Sequence, residues 1–526
     1  MSDLEAPRIW EISGADPDAT ALRGPGRALS WRELEARTNA VGHGIEALGI
    51  APGSHVVLAA SNRTEFLEVL IGAMRAGFVV TPVKTGWRAE ELGYVLDDAG
   101  TRLVITDLDA PREAASRRGI PVLDLDAGID GARDYDAWIA AQEPGPLPRD
   151  RQGMRMSYTS GTTGRPKGVT RLGDRGRPWC EAFAASRAFK EVLSIPTNGP
   201  HLNVSALFHG APLAFSLSLL ANGAELRILR RWDAAEVLIA LADGIESTCM
   251  VPTMFRQLLA LPEDVRASFH APKLRAVLHG GEPCPQPLKR RMLEWWGPRL
   301  IEYYGMTEGG LTVATSEEWL ARPGTVGRAK LALSIRILDA EGRERPVGEE
   351  GGIFFAHPQG QTFEYRNAPE KTAAAHVPGG AFTVGDIGYV DEAGYLFISG
   401  RKADVIVSSG VNVYPAEIED LLFALPEVRE ACVVGAPDEM RGEAVAAFVV
   451  LADGVASAEE ALASIARACE ERLAGYKRPR RFVLRDALLR DGTGKLLRHV
   501  HRAELWAGEE SVFAARTQLR PSGIST

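Results

Sequence analysis

Cysteine is scarce and scattered. The five residues Cys180, Cys249, Cys284, Cys432 and Cys469 include no Cys-x-x-Cys pair. That spacing excludes a zinc site or a disulfide framework and predicts reduced thiols in a cytoplasmic protein. A basic surplus is missing too: 60 Lys and Arg stand against 69 Asp and Glu, a formal net charge of −9. The balance argues against a nucleic-acid partner but leaves room for a locally positive nucleotide pocket. No apolar run suffices for a membrane span, which needs about 20 nearly uninterrupted residues. The most apolar stretch, 205–229, is broken by His209, Pro212, Asn222 and Glu225 and reads as a buried strand and helix. The opening MSDLEAPRIW lacks the basic start and apolar run of a signal peptide. Fixed-period repeats and low-complexity tracts are also missing.

What is present is an ordinary globular composition, 45% hydrophobic and 25% charged, over 526 residues, enough for several packed units. From about 31 to 300 helical and strand patterns alternate. Phe66, Leu67, Leu70, Ile71 and Met74 recur at helical spacing, and 77–83 reads as a short buried strand. Similar pairs follow at 235–241 and 248–251, and at 255–261 and 276–278. Such alternation predicts α/β layers around a largely parallel sheet. Past Gly400 the rhythm changes to strand 404–408, a helix opened by Pro415, strands 431–435 and 444–451, a helix after Ser457, and strand 481–485. That order is a split-βαβ unit. The expected fold is therefore a large multi-subdomain N-terminal α/β body with layered sheets (1–400) and a small mobile C-terminal α+β domain (401–505). An irregular tail is expected over 506–526.

The sharpest chemical signal is Thr159-Ser-Gly-Thr-Thr-Gly-Arg-Pro-Lys-Gly168, directly after the strand-like 154–158. Its glycines let backbone N–H groups approach an anion closely. The hydroxyls of Thr159, Ser160, Thr162 and Thr163 and the ammonium of Lys167 add donors and charge, a set suited to a polyphosphate. It is not a Walker A loop, since no Gly-Lys-Ser/Thr follows.

This stretch resembles the phosphate-loop signature of the adenylate-forming superfamily, which includes acyl- and aryl-CoA synthetases, peptide-synthetase adenylation domains and firefly-type luciferases. Further signatures follow in the family's order and cover roughly 31–501. The resemblance implies that Gly161 and Gly164, with the hydroxyls and Lys167, hold the phosphates of ATP. Tyr303-Tyr-Gly-Met-Thr-Glu308 is similar to the second signature, with Tyr304 against adenine, Thr307 at phosphate and Glu308 on Mg²⁺; Tyr303, Gly305 and Met306 complete that nucleotide segment. Gly280, Gly281, Glu282 and Pro283 resemble the segment lining the adenine and substrate pocket. Asp386 and Arg401 match the residues that reach the ribose. Lys495, in Gly494-Lys495, resembles the catalytic lysine that stabilises charge as a carboxylate attacks the α-phosphorus. His209 corresponds to a gate beside the acyl pocket. Ser409 and Gly410, in Ser408-Ser-Gly-Val411, would line a thiol channel opened by rotation of the small domain, and the basic run 476–481 could meet CoA phosphates. One departure stands at the hinge, where the family's acidic residue or lysine is Ala403.

No acid lies between His201 and Ala221 to meet an amino group. The Leu-, Ala- and Phe-rich tract there predicts an apolar acid, medium- to long-chain or polycyclic. The expected activity is an acid–thiol ligase using ATP, Mg²⁺ and coenzyme A. Loading of a separate carrier protein is the first alternative, and a catalytically inactive nucleotide-binding protein the second. The 31 residues after Lys495 are too few for a fused carrier domain. Monomer and homodimer both stay open.

Overall fold

The computed structural model describes residues 5–129, 135–159, 166–408, 411–490 and 496–507. The first layer is a six-stranded sheet, in which His55–Ala59, Val79–Pro82, Thr101–Thr106, Val122–Asp124 and Met154–Arg155 run parallel. Helix Thr64–Arg75 packs between strands with nearly every residue buried, which is why its apolar spacing was readable.

The second layer is a thirteen-stranded path with a parallel centre of Leu226–Ile228, His201–Asn203, Ser247–Met250, Ala276–Gly280 and Leu300–Gly305. Ser247–Met250 and Ala276–Gly280 are buried throughout, as strands covered by helices on both faces must be. After Gly305 the path turns antiparallel through Leu311–Ala314 and Thr325–Ala329 to the paired strands Leu396–Arg401 and Asp386–Val390. Arg401 thus ends a strand of the body.

A small third sheet joins Ser157–Thr159, Lys167–Arg171 and Phe363–Tyr365. Here the structure differs from the single strand expected over 154–158. Met154–Arg155 belongs to the first layer and Ser157–Thr159 to the third sheet. Between them Met156 is 1% exposed and its N–H donates to Val80 O at 2.9 Å. One chain segment therefore hands over between two sheets, which strand periodicity alone does not reveal.

The C-terminal domain is smaller. Its sheet comprises Val411–Val413, Ile406–Ser408, Gly442–Leu451, Val428–Asp438 and the parallel Arg481–Leu484, with helices Pro415–Phe423 and Ala458–Arg472. The strand Val411–Val413 and the helix Arg498–Trp506 were not expected. The helix closes the far face of the sheet, with His501 against Phe448 (4.7 Å between centroids) and Trp506 Nε1 donating to Gly435 O at 2.9 Å. Trp506 therefore lies in this helix, where the tail was expected to begin. Among the described residues, no helix is long and apolar enough to cross a membrane.

Candidate active site

The strand Leu300–Gly305 delivers its two tyrosines to opposite faces, as strand geometry requires. Tyr304 faces Asp386 and donates its phenol to Oδ2. Asp386 Oδ1 accepts from Arg401 Nε at 2.9 Å, and the two residues are register partners across the antiparallel pair. Asp386 is 4% exposed. Burial, followed by the neighbouring carboxylate, holds the Tyr304 phenol well above its ordinary range, so it stays a donor. Burial works against the Arg401 charge, but Asp386 outweighs it and raises that group too.

Tyr303 turns the other way. Its ring meets Phe215 edge-on at 4.9 Å and its hydroxyl lies 4.0 Å from Cys249 Sγ. Tyr303 is thus placed with the helix that follows His209, away from Asp386. Gly280, at the end of its strand, lies so close that an added Cβ would sit 2.2 Å from Tyr303 O. Burial pushes the Cys249 thiol up to about 12, so it is no thiolate nucleophile.

Beyond Gly305 the chain makes a tight turn. Gly309, at φ +127°, lets its N–H reach Met306 O at 3.1 Å, while Met306 N donates to Gly310 O. The turn presents Thr307 and Glu308. Thr307 adjoins the start of helix Gly210–Ala221: a Cβ on Gly210 would lie 4.0 Å from its Oγ1. His209 is the residue immediately before this helix and packs on Phe208 at 4.6 Å. Helix N-termini carry partial positive charge, so an anion near Thr307 is favoured there.

The third sheet brings the phosphate-loop residues to the same turn. Lys167 and Thr159 are register partners at the end of a hairpin whose connection contains Ser160, Gly161, Thr162, Thr163 and Gly164. Those five residues, and Ser409, Gly410 and Lys495, lie outside the described residues. From the same hairpin Arg171 Nε donates to Thr307 O at 3.2 Å. On the adjoining strand Tyr365 donates to Glu308 Oε1 at 2.8 Å, and Lys167 Nζ stands 4.9 Å from the centre of its ring. Glu282 takes a different partner set. It accepts from the Thr253 N–H at the start of helix Pro252–Leu259, and its other oxygen lies 3.8 Å from Arg490 of the C-terminal domain. Gly281 and Pro283 flank it on the surface.

The turn 304–308, the Asp386–Arg401 pair and the hairpin therefore meet in one place, with nucleotide-type donors and acceptors from the second layer and the third sheet. The AMP-binding enzyme pattern matches residues 10–363 of this sequence, and the AMP-binding enzyme C-terminal domain matches 417–495. The chain belongs to the AMP-binding enzyme family. It is an adenylate-forming ligase of the acid–thiol class, whose members use ATP and CoA as substrates. It is 32% identical over 512 residues to a fatty acid–[acyl-carrier-protein] ligase of Streptomyces coeruleorubidus, covering 93% of this chain and 94% of that one. It is also 32% identical to a long-chain-fatty-acid–CoA ligase of Mycobacterium tuberculosis, covering 90% and 93%. Among solved structures it is similar to the o-succinylbenzoate CoA synthetase of Bacillus subtilis in complex with its acyl-adenylate intermediate. The TM-score is 0.78 at 27% identity, with 94% and 98% of the two chains covered.

Two side chains of this AMP-binding enzyme's site were not among the sequence candidates. Arg171 follows the phosphate loop as an ordinary basic residue, and Tyr365 sits in a strand with neither glycines nor a charge pattern. Neither has a local signal, because each acts through pairing of distant strands.

Proposed function

We propose that this ligase activates a hydrophobic carboxylic acid with ATP as an acyl-AMP and then transfers the acyl group to coenzyme A. The observation that carries the reading is the meeting of Tyr304, Asp386 and Arg401 with the Thr307–Glu308 turn beside the loop hairpin. In this reading Asp386 accepts from the ribose hydroxyls, Arg401 supports it, and Tyr304 lies along the adenine. Thr307 and Lys167 bind phosphate oxygens, and Lys495 approaches the α-phosphate from the C-terminal domain.

A carboxylate oxygen of the acid bonds to the α-phosphorus, and the bond to the β-phosphate oxygen breaks, releasing pyrophosphate. Positive charge from Lys495 favours the pentavalent transition state over the ground state. Glu308 fits a Mg²⁺ ion: it is a buried carboxylate with no cationic ion-pair partner among the described residues. Mg²⁺ bound there would neutralise polyphosphate charge. In the second half-reaction the thiol loses its proton, its sulfur bonds to the acyl carbon, and AMP departs.

The acid is assigned to the side of Tyr303. Helix Gly210–Ala221 contributes Phe215 there and carries no ionisable residue, a surface suited to an alkyl or ring system and not to an ammonium. A carrier-protein acceptor is the second reading, favoured by the likeness to the Streptomyces ligase. The free cysteines fit a reducing, cytoplasmic setting.

The test is a panel of short, long, aromatic, polycyclic and amino acids with ATP and Mg²⁺, with and without CoA. CoA-dependent thioester and AMP from an apolar acid are expected. Pyrophosphate without thioester moves the acceptor to a carrier protein. Absence of pyrophosphate with every acid overturns the reading.

A further inference from the structure

Glu308 and Lys167 carry opposite charges and meet the same side chain, Glu308 at the Tyr365 hydroxyl and Lys167 over its ring, yet they form no ion pair. Glu308 is 6% exposed, and its one hydrogen bond among the described residues is from the Tyr365 phenol to Oε1 at 2.8 Å. Oε2 takes no protein donor among the described residues. Lys167 Nζ, 4.9 Å from the centre of the Tyr365 ring, makes no hydrogen bond or ion pair among the described residues either.

Tyr365 is itself held firmly. Its N–H donates to Thr372 Oγ1 at 2.9 Å, and it is the register partner of Val169 on the loop hairpin. The next residue, Arg366, donates from its backbone to Gly168 O at 2.8 Å. Its guanidinium reaches Asp98 O and Ala99 O at 2.8 and 2.9 Å, and His55 Nε2 at 3.1 Å. The ring therefore cannot drift without moving both the hairpin and the first sheet.

We propose that Tyr365 is a positioning residue that holds Glu308 and Lys167 apart and ready for the nucleotide. Opposite charges that share one neighbouring side chain would, without it, be drawn toward a direct ion pair, which metal and phosphate would then have to break. The tyrosine satisfies each differently. Its hydroxyl donates to one carboxylate oxygen and leaves the second for a hard cation. Its π-face attracts the ammonium without neutralising it, so the charge stays available for a phosphate. Partners that orient a metal ligand typically alter metal affinity about 10- to 100-fold when removed.

The inference rests on Glu308 binding the cation and Lys167 the phosphate, so its test separates the two claims. The non-hydrolysable nucleotide α,β-methylene-ATP is titrated calorimetrically over a range of Mg²⁺ concentrations. The proteins are the wild type, Tyr365→Phe, Tyr365→Leu, Glu308→Gln and the Tyr365→Phe/Glu308→Gln double variant. Mn²⁺ binding in the presence of nucleotide is followed by electron paramagnetic resonance.

Tyr365→Phe keeps the ring, and is expected to raise the half-saturating Mg²⁺ concentration about tenfold with little change in metal-free nucleotide affinity. Tyr365→Leu removes the π-face as well, and is expected also to weaken metal-free nucleotide binding. In the Glu308→Gln background, Tyr365→Phe is expected to add nothing. If Glu308→Gln shifts the metal dependence while Tyr365→Phe leaves it unchanged, the role of Tyr365 is overturned and that of Glu308 stands. A lowered melting temperature with unchanged metal dependence in both Tyr365 variants likewise reduces the residue to packing. If Glu308→Gln itself leaves the metal dependence unchanged, the assignment of Glu308 falls first.

Discussion

Asp386 Oδ1 accepts from Arg401 Nε at 2.9 Å, and the same carboxylate receives the Tyr304 phenol on its other oxygen. The arrangement joins three distant segments at a single buried acid. It also ends the body of the enzyme: the chain leaves Arg401 through a turn in which Asp404 N and Val405 N donate to Arg401 O, with Lys402 and Ala403 exposed. Ala403 contributes no side-chain hydrogen bond at this hinge. Contacts across the domain surface, such as Arg490 with Thr253, then carry the orientation of the C-terminal domain.

Replacing Asp386 with Asn keeps the shape and removes the charge. Hydrogen bonds to charged groups are worth about 1.5–3 kcal/mol, so ATP affinity is expected to drop roughly 10- to 100-fold in Asp386→Asn. Calorimetric titration with ATP checks this. An unchanged dissociation constant would remove Asp386 from the ribose.

Acid should weaken the body through His55. Burial, and then the charge of Arg366, lowers its pKa from 6.5 to about 4. The neutral ring faces Arg366 Nη1 at 3.1 Å. The folded pKa lies below the unfolded one, so the stabilisation is fully present above pH 6.5 and is lost as pH falls toward 4. Urea midpoints at pH 7 and 4.5 should show a loss on the order of 1–2 kcal/mol greater in the wild type than in His55→Gln, discounted for the partly exposed ring. Glutamine can accept from Arg366 without titrating.

These particulars show what a linear sequence can convey. The parallel centre was readable because each strand is short, apolar and followed by a periodic helix. Burial on both faces leaves no other pattern. Thr159 and Lys167 were readable because one hairpin holds them, eight positions apart in the sequence. Arg171 and Thr307 are 136 residues apart and Tyr365 and Glu308 are 57 apart, so their meeting depends on sheet pairing that no local motif encodes. Tyr303 and Tyr304 share one motif, yet strand alternation sends them to different neighbours. Helix Arg498–Trp506 escaped notice because its buried side is sparse: His501 and Leu505 in nine residues.

Lys495 stands five residues beyond Arg490 and outside the described residues, so its role is tested by chemistry. Lys495→Ala is expected to slow acid-dependent pyrophosphate release about 10²- to 10³-fold, the usual loss for one stabilising group at developing charge. ATP binding should be unchanged, and synthetic acyl-AMP should still yield thioester with CoA. Equal loss of both half-reactions would indicate damage beyond the adenylation step.

Arg490 offers the sharpest test of how the two domains are held. Its guanidinium bonds Glu430 within the C-terminal domain at 2.6 Å and Thr253 Oγ1 on the body at 3.3 Å, with Glu282 at 3.8 Å. Nearby, the Arg256 guanidinium stacks 5.1 Å above the centre of the Phe423 ring. Arg490→Ala removes one of two guanidinium groups that act on Glu282 and Glu430, Arg256 being the other, so the attraction across the contact should weaken. Losing such a charge-assisted link costs about 2–5 kcal/mol at an interface, and partial solvation here puts the effect at the lower end. The domain should then leave this pose more often, loosening the turn around the already exposed Lys402 and accelerating tryptic cleavage there. Adenylation should slow while thioester formation from acyl-AMP is spared, because a pose lost to the first half-reaction is released to the second. Unchanged proteolysis together with unchanged adenylation would mean that Arg256 and Phe423 hold the pose without Arg490.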